Sequence, residues 1–282
     1  MFPIGLFDSG VGGLSVLRHV QTQLPHEALV YVADQAHVPY GQRPLMEIRA
    51  FSEAITRALL AYGCKLIVVA CNTASGAALT HLRQTFPAVP FVGMEPAVKP
   101  AAQLTRSGKV GVLATAGTFE SQRYLSLMAR FATGISVLEN PCHGLVDLIE
   151  AGASDSPATA DLLRQCVRPM LAAGVDTLVL GCTHYPFVQP LLAQIVATET
   201  TTAVSIIDPA PAVARQVEHR LHKLNLLAET AVSSTVPGAE PGTIVYTPGD
   251  APRVQALAHT LLGQELVTKT AVWRGDTLHL PE

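Results

Sequence analysis

Two cysteines in matching sequence contexts are the first candidates for chemistry. Cys71 and Cys182 each lie eight residues after a glycine, and each directly follows an aliphatic run that predicts a buried strand. Ligands of open α/β sheets bind beyond the carboxyl ends of the strands, so both thiols are expected at such an edge. A predicted helix follows each cysteine, and the free N–H groups of its first turn favour a thiolate or hold a substrate carboxylate.

Two thiols that face each other across a cleft can invert a stereocentre by proton transfer. A thiolate removes a proton from one face of the carbon, and a thiol delivers a proton to the other face. A thiol has an ordinary pKa of about 8.5, so a modest downward shift lets it serve in either role. The plainer alternative is that both cysteines are small buried apolar residues, which is the commonest fate of a free cysteine. Their matched placement favours the chemical role.

Polar residues beside the two cysteines extend the candidate site. Asp8 and Ser9 follow the first predicted strand, where Asp8 can take or orient a proton near Cys71 and Ser9 can bind a polar substrate group. The alternative for both residues is that they cap the helix that follows. His184 lies two residues after Cys182 and can be its proton partner. The glycines after Ser9 fail the third position of the dinucleotide-binding pattern, and no Walker A pattern occurs.

Other conspicuous residues have structural interpretations of equal or greater weight. The segment Val38–Gly41 predicts a turn after the second strand, whose backbone can line the pocket or form a plain loop. Glu95 and Asp208 each precede a proline, and helix entry with a crossing between lobes explains them best. The remaining cysteines lack a comparable context and are predicted to be structural, namely Cys64, Cys142 and Cys166.

Short aliphatic runs that alternate with helical patterns must position these residues. Continuous aliphatic runs are typical of parallel strands buried on both faces, and their alternation with helices predicts an α/β fold with parallel sheets. The helical stripes are clearest between Pro44 and Gly63 and between Pro157 and Gly174. The predicted strands are Ile4–Phe7, Leu29–Ala33, Leu66–Ala70, Val89–Gly93, Val110–Ala114, Ile135–Leu138, Thr177–Leu180, Val204–Ile207 and Thr243–Tyr246.

Three markers recur along the chain in the same order, which indicates one α/β unit used twice. Their offsets lie between 106 and 113 residues. The matched pairs are Gly5–Ser9 with Gly111–Thr115, Cys71 with Cys182, and Glu95–Ala97 with Asp208–Ala210. The sequence therefore predicts two similar, pseudo-symmetric α/β lobes with central parallel sheets and the candidate site in the cleft between them.

The repeat also predicts where the chain crosses between the lobes. Crossings near Glu95 and Asp208 give a discontinuous first lobe, residues 1–96 and 208–282, and an inserted second lobe, residues 97–207. The alternative is a single split after the first repeat, with the tail on the second lobe. The stretch Val232–Gly242 is rich in proline, glycine and serine and predicts a surface connector.

The composition excludes several classes of protein. Of the 282 residues, 49% are hydrophobic and 15% are charged, the opposite of a disordered chain. The formal net charge is −3 and no run of four basic residues occurs, so a nucleic-acid-binding surface is not expected. No apolar stretch approaches the roughly 20 residues of a membrane span. The N-terminus lacks the basic region of a signal peptide, so a cytoplasmic protein without a membrane partner is expected.

Five segments of the chain resemble the signature blocks of the glutamate racemase family. They appear in the family order and cover most of residues 4–210. The segments are Phe7–Gly13, Val38–Gly41, Ala70–Ser75, Leu113–Thr118 and Gly181–Pro186. The resemblance implies interconversion of L- and D-glutamate without a cofactor, which supplies D-glutamate for peptidoglycan. It also implies two similar α/β lobes with the active site between them, and a homodimer.

The resemblance implies a role for each matching residue. Cys71 and Cys182 match the two acid–base residues of the family, and Asp8 and His184 match the residues that assist them. Glu150 falls where the family has a glutamate near the histidine. The positions that match substrate-binding residues are Asp8, Ser9, Tyr40, Gly41, Asn72, Thr73, Thr115, Thr118, Thr183 and His184. No metal site is implied.

Three other functions stay open on the residues alone. An aspartate racemase of the same family would use the same two-cysteine chemistry in a pocket of different length. A bilobal amino-acid-binding protein would need the cleft but no thiol on each face. A thiol redox or metal protein fits less well, because neither Cys71 nor Cys182 lies in a C-x-x-C pattern, and Asp8 with Cys182 and His184 gives a poor zinc spacing.

Overall fold

The computed structural model describes residues 2–228 and 242–281, in which helices alternate with mostly parallel strands. The strands are β1 (Ile4–Asp8), β2 (Leu29–Ala33), β3 (Leu66–Val69), β4 (Phe91–Gly93), β5 (Lys109–Leu113), β6 (Ser136–Asn140), β7 (Thr177–Leu180), β8 (Ser205–Ile207), β9 (Thr243–Thr247), β10 (Val267–Thr270), β11 (Val272–Arg274) and β12 (Thr277–His279). The helices are α1 (Leu14–Gln23), α2 (Leu45–Ala61), α3 (Asn72–Thr85), α4 (Val98–Leu104), α5 (Ala116–Phe119), α6 (Gln122–Phe131), α7 (Leu145–Glu150), α8 (Pro157–Ala172), α9 (Gln189–Glu199), α10 (Ala210–Leu224) and α11 (Ala251–Leu262). The α/β class expected from the sequence is confirmed.

Six parallel strands form the first sheet, in the order β10-β9-β2-β1-β3-β4. Strand β1 lies between its two partners, with Ile4 opposite Leu29 of β2 and opposite Leu66 of β3. Every residue of these three strands is buried. Their sequences are continuous aliphatic runs because helices cover both faces of the sheet.

Alternate residues of the first sheet belong to two separate cores. Leu6 and Val68 pack with α1, α10 and α11 on one face of the sheet. Phe7 and Val69 pack with α2 and α3 on the other face. The side chains of successive strand residues point to opposite faces, so each strand contributes to both layers.

Four parallel strands form the second sheet, in the order β6-β5-β7-β8. The first sheet contains the equivalent arrangement, because β2, β1, β3 and β4 are neighbours in the same order. The register repeats as well, since Ile4 lies opposite Leu66 and Val110 lies opposite Thr177. Helices α7, α8 and α9 cover one face of this sheet, and α4 and α6 cover the other. The two similar lobes expected from the repeat are confirmed.

The last part of the chain returns to the first sheet. Strand β9 pairs with β2, strand β10 pairs with β9, and α10 packs along α1. The segments that run between the two sheets contain Glu95, between β4 and α4, and Asp208, between β8 and α10. The lobe boundaries themselves, residues 1–96 with 208–282 and residues 97–207, stay a prediction. The predicted connector Val232–Gly242 lies, except for its last residue, outside the described residues.

The helices with the clearest sequence stripes form where they are expected. Helix α2 begins directly after Pro44, and α8 begins at Pro157 with Ser156 as its cap, whose Oγ accepts a hydrogen bond from Thr159 N–H. The described ranges contain no helix that combines the length and the apolar character needed to cross a membrane.

Two sequence-based expectations are corrected by the structure. The helix expected directly after Cys182 is preceded by a 3-10 turn, Tyr185–Val188, so α9 begins only at Gln189. Cys182 therefore does not occupy a helix N-terminus as Cys71 does. Strands β10, β11 and β12 lie outside the predicted strands because they are short and largely exposed, and they lack a continuous aliphatic run.

Candidate active site

The predicted site residues lie where strands of the two sheets end. Asp8 is the last residue of β1, Cys71 lies just beyond β3, Thr115 just beyond β5, and Cys182 just beyond β7. The two lobes touch at this edge, where Thr183 Oγ1 donates a 2.9 Å hydrogen bond to Asp8 Oδ2. Residues from both halves of the repeat therefore share one cleft.

Cys71 lies on the side of the cleft formed by the first sheet. It is the N-cap residue of α3, and its Sγ accepts a 3.4 Å hydrogen bond from Ala74 N–H. Burial, followed by the charge of the neighbouring Asp8, raises the pKa of Cys71 well above its usual range, and the Ala74 N–H offsets only part of this. The downward shift expected from a helix N-terminus is therefore wrong for Cys71, because burial and the carboxylate dominate.

Asp8 is a fully buried carboxylate between the two lobes. Its Oδ1 accepts hydrogen bonds from Ser9 N–H at 2.6 Å and from Ser9 Oγ at 3.1 Å, and its Oδ2 accepts one from Thr183. Burial raises the pKa of Asp8, and the charge of His184 is the largest effect that opposes the rise. Helix α1 has Gly13 as its N-cap with no side-chain cap, so the capping alternative for Asp8 and Ser9 is wrong.

Cys182 belongs to a chain of three groups on the opposite side of the cleft. Its Sγ lies 3.7 Å from His184 Nδ1, and His184 Nε2 lies 2.6 Å from Glu150 Oε1. Burial disfavours the charged imidazole, but the hydrogen bonds with Cys182 and Glu150 and their charges outweigh it, so the pKa of His184 is raised well above its usual range. Burial likewise opposes the charge of Glu150, yet the contacts with His184 keep the pKa of Glu150 below its usual range. This is the geometry of a thiol–imidazole pair backed by a carboxylate.

Two glycines in the loop after β1 let the lobes approach closely. A Cβ atom at Gly10 would overlap the carboxylate of Glu150, and one at Gly12 would overlap the imidazole of His184. Between them, Val11 donates its N–H to Glu150 Oε1 at 2.9 Å. The glycine-rich stretch therefore serves the packing of one lobe against the Glu150–His184 pair of the other.

A row of hydroxyl groups and one amide line the cleft. Thr73 Oγ1 lies 2.9 Å from Thr115 Oγ1, which lies 3.0 Å from Thr118 Oγ1. Asn72 is 5% exposed, and both polar atoms of its side chain lack a hydrogen-bond partner within the described residues. Buried polar groups are normally paired, so the Asn72 amide is suited to bind a polar ligand.

Tyr40 and Gly41 lie in a 3-10 turn, Tyr40–Gln42, that follows β2. The Tyr40 hydroxyl donates a 2.6 Å hydrogen bond to Asp34 Oδ2, which anchors the turn. A Cβ atom at Gly41 would come within 3.0 Å of Thr115 Cβ, so the turn packs against the other side of the cleft. The segment predicted as a turn after the second strand thus reaches the site.

Asp34 and Gln35 directly follow β2 and are not among the site residues predicted from the sequence. Asp34 is fully buried and accepts hydrogen bonds from Tyr40 and from Trp273 Nε1, the latter at 2.9 Å. Gln35 Nε2 donates a 2.7 Å hydrogen bond to Glu150 Oε2. A signal existed, because β2 is parallel to β1 and its carboxyl end lies at the same edge of the sheet.

The other three cysteines are buried free thiols. Burial raises the pKa of Cys64 to about 12. Cys142 and Cys166 belong to the core beneath α7 and α8, and a structural role for all three stays a prediction. In the part of the chain that the structure describes, no group of three histidine, cysteine or acidic residues could hold a metal ion.

Comparisons with known proteins agree with this fold. The Asp/Glu/Hydantoin racemase family model matches residues 4–217. A glutamate racemase of Ectopseudomonas mendocina is 51% identical over 263 residues, which cover 93% of this chain and 95% of the relative. The structure of Escherichia coli glutamate racemase with L-glutamate and the activator UDP-MurNAc-ala superposes with a TM-score of 0.80 at 34% sequence identity. The matched region covers 96% of this chain and 98% of the Escherichia coli chain. The structure of Francisella tularensis glutamate racemase with D-glutamate has a TM-score of 0.80 at 27% sequence identity, and the match covers 95% of this chain and 97% of the Francisella tularensis chain.

The family model spans well over half of the chain, and its match begins in β1 and ends in α10. The matched range includes both sheets up to β8 and every site residue predicted from the sequence. The fold, the cleft and the similarity together identify the chain as a member of the Asp/Glu/Hydantoin racemase family.

Proposed function

We propose that this protein is a glutamate racemase that uses Cys71 and Cys182 as its two acid–base groups. The observation that carries the proposal is that these thiols follow equivalent strands, β3 and β7, and that each has its own proton partner at the cleft. The named relatives support the substrate, since two of their structures were determined with L- or D-glutamate.

The reaction begins, for L-glutamate, with the Cys182 thiolate removing the α-proton. The electron pair of the broken C–H bond stays on the α-carbon and its carboxylate as a carbanion. The Cys71 thiol then delivers its proton to the opposite face, and a new C–H bond forms from that electron pair. D-Glutamate reacts in reverse, from the state in which Cys71 is the thiolate. The assignment of each thiol to one enantiomer follows the family resemblance.

The electrostatics of the cleft suit one thiolate and one thiol at a time. The charge of Cys182 is among the effects that raise the pKa of Cys71, so two neighbouring thiolates disfavour each other. His184, whose pKa is raised, holds a positive charge beside the Cys182 thiolate. Burial raises the pKa of Asp8, which favours a protonated carboxyl group able to exchange a proton with the neighbouring Cys71.

Polar groups around the two thiols provide the contacts that a glutamate needs. Two carboxylates and an ammonium group require several donors and at least one acceptor, and the cleft supplies both. The unpartnered amide of Asn72 is the best placed of these. The remaining proposed substrate contacts are Asp8, Ser9, Tyr40, Gly41, Thr73, Thr115, Thr118, Thr183 and His184.

The same proposal includes the setting of the enzyme. Thiol catalysis of this kind needs no cofactor and no metal. The product, D-glutamate, would supply peptidoglycan synthesis and so support the cell wall and cell shape. A homodimer in the cytoplasm is the state that the family resemblance implies.

Circular dichroism of L-glutamate with the purified protein, without any added cofactor, tests the function. The signal should decay to zero, D-glutamate should approach zero from the opposite sign, and dialysis, a chelator or a carbonyl reagent should not stop either decay. Faster decay of L-aspartate would instead indicate an aspartate racemase. Glutamate binding without decay would indicate a binding protein, and restoration of activity by a metal after chelation would contradict the cofactor-free mechanism.

A further inference from the structure

Glu150 is the last residue of α7 and belongs to the same half of the repeat as Cys182. Groups of the first sheet and its helices nevertheless hold it in place. Its Oε1 contacts His184 Nε2 and also accepts the Val11 N–H at 2.9 Å. Its Oε2 accepts the 2.7 Å hydrogen bond from Gln35 Nε2, and its main-chain oxygen accepts one from Arg253 Nη2 at 3.4 Å. Three first-sheet elements, the loops after β1 and β2 and helix α11, therefore meet at the residue that supports the imidazole.

Gln35 has a particular place among these contacts. Within residues 2–228 and 242–281, its amide provides the hydrogen bond that Glu150 Oε2 receives. The Glu150 side chain is only 11% exposed, so water replaces this donor poorly. The stem of Gln35 packs against the loop after β9, because a Cβ atom at Gly249 would lie 2.6 Å from Gln35 Cβ.

We propose that Gln35 is a positioning residue for racemisation, which orients the Glu150 carboxylate so that its other oxygen faces His184 and, through it, Cys182. This inference rests on the proposed function. A carboxylate that is fixed at both oxygens fixes the orientation and tautomer of the imidazole bonded to it. Gln35 is neutral, so its contribution is directional and does not add a counter-charge.

Several other charged or titratable groups lie around Glu150, and a substitution of Gln35 leaves them unchanged. They are His184 from the loop after β7, which also contacts Cys182, and Tyr31 from β2, while Arg253 from α11 bonds the main-chain oxygen of Glu150. The hydrogen bond from Gln35 is one of the contacts that lower the pKa of Glu150. Its loss makes the carboxylate more basic, so the imidazolium proton is held more tightly.

The test replaces Gln35 by methionine, which keeps the length of the side chain and its packing against Gly249 but removes the N–H donors. For Gln35→Met, we expect kcat/KM to fall about tenfold, as for other groups that orient a catalytic side chain. The fall should lie mainly in kcat, and the pH–rate profile should shift to higher pH. Tm should fall by only a few degrees, as expected for one lost buried hydrogen bond, so the variant stays folded at the assay temperature. Gln23→Met is the matched control, because Gln23 Nε2 donates a 2.7 Å hydrogen bond to Glu218 Oε2 on the surface, and its activity should be unchanged.

Gln35→Glu is a second, nearly isosteric variant. At neutral pH the introduced carboxylate faces that of Glu150, so the loss should exceed that of Gln35→Met. Acidification protonates the introduced group, which can then donate again, and the activity relative to wild type should rise as the pH falls.

Three outcomes would overturn the proposal. The first is a Gln35→Met enzyme within about twofold of wild type with an unchanged pH profile, which would mean that Gln35 only packs. The second is a fall in activity that is accounted for by unfolded protein at the assay temperature, which would mean a structural role. The third is a wild-type protein that does not racemise glutamate, which would remove the proposed function itself and this inference with it.

Discussion

The two thiols of the cleft have different polar neighbours. Cys71 caps a helix and lies beside a buried carboxylate, Asp8. Cys182 contacts an imidazole, His184, that is backed by Glu150. Two acid–base groups that act on opposite faces of one carbon are both needed for turnover, so each single substitution is informative.

Cys71→Ser and Cys182→Ser should each nearly abolish racemisation of either enantiomer, because a serine hydroxyl is a poor base at neutral pH. Elimination of a leaving group from the β-carbon of a substituted glutamate needs only one base. Each variant should therefore keep this elimination for one enantiomer, and the two variants should prefer opposite enantiomers. Elimination rates of both variants on both enantiomers decide the matter. The same preferred enantiomer in both variants would contradict the two-base arrangement.

The raised pKa of His184 also predicts a pH-dependent contribution to stability. A group whose pKa is higher in the folded protein stabilises it fully below its unfolded pKa, about 6.5 for histidine, and the stabilisation is lost as the pH rises through the folded value. The difference in the free energy of unfolding between wild type and His184→Asn should be largest near pH 6 and shrink toward alkaline pH. Chemical denaturation across this range measures it. In a Glu150→Gln background the pH dependence should weaken, and a difference that grows with pH would contradict the assignment.

At the scale of helices and strands, the sequence predicts the elements whose formation depends on a regular pattern of hydrophobic residues. The nine predicted strands all form, because buried parallel strands need continuous aliphatic runs. Cys71 and Cys182 could be predicted at the sheet edge for the same reason. The support of the site from Asp34, Gln35 and Trp273 could not, because it depends on polar contacts between segments far apart in the sequence. The hairpin of β11 and β12, which carries Trp273, has no apolar run to reveal it.

The hairpin contact predicts a role for the C-terminal segment in holding the turn that carries Tyr40. Trp273→Phe keeps an aromatic ring but removes the indole donor to the buried Asp34. A lost hydrogen bond to a buried charged group costs about 1.5–3 kcal/mol, so we expect a lower free energy of unfolding and a higher KM. Thermal and urea unfolding with steady-state kinetics measure both. Val272→Ala, at an exposed neighbour, is the control and should change neither, whereas an unaltered Trp273→Phe would show that the hairpin does not support the turn.

At the scale of the whole molecule, the cleft is built from both sheets, so a ligand in it contacts both lobes. Thr183 bonds Asp8 across the cleft, and its carbonyl oxygen also accepts a 2.8 Å hydrogen bond from Ser15 Oγ. A ligand that binds only the folded protein stabilises it, and the stabilisation grows with the logarithm of the ligand concentration above the dissociation constant. We therefore expect stabilisation by substrate to depend on the assembled pair of lobes.

Either enantiomer of glutamate, at about 100 times its dissociation constant, should raise the free energy of unfolding by about 2.7 kcal/mol. Cys71→Ser should keep this stabilisation, because serine preserves the shape of the site. Asn72→Ala should lose most of it, because the unpartnered amide is removed. Thermal unfolding with L-glutamate, with D-glutamate and without ligand measures the effect. An Asn72→Ala protein stabilised as strongly as wild type would exclude Asn72 from the substrate site.

The unequal surroundings of Cys71 and Cys182 have a consequence for the kinetics of the two directions. Mirror-image molecules have equal free energies in an achiral solvent, so the overall equilibrium constant is one, and kcat/KM must be the same for both directions however different the two thiols are. The difference can appear only in kcat and KM separately, where one enantiomer binds more tightly and turns over more slowly by the same factor. Under the proposed mechanism, the two thiols have unequal surroundings: a helix cap with a buried carboxylate at Cys71, and an imidazole–carboxylate pair at Cys182. We expect this difference to set how the enzyme divides its time between the two bound enantiomers. It cannot set which enantiomer accumulates.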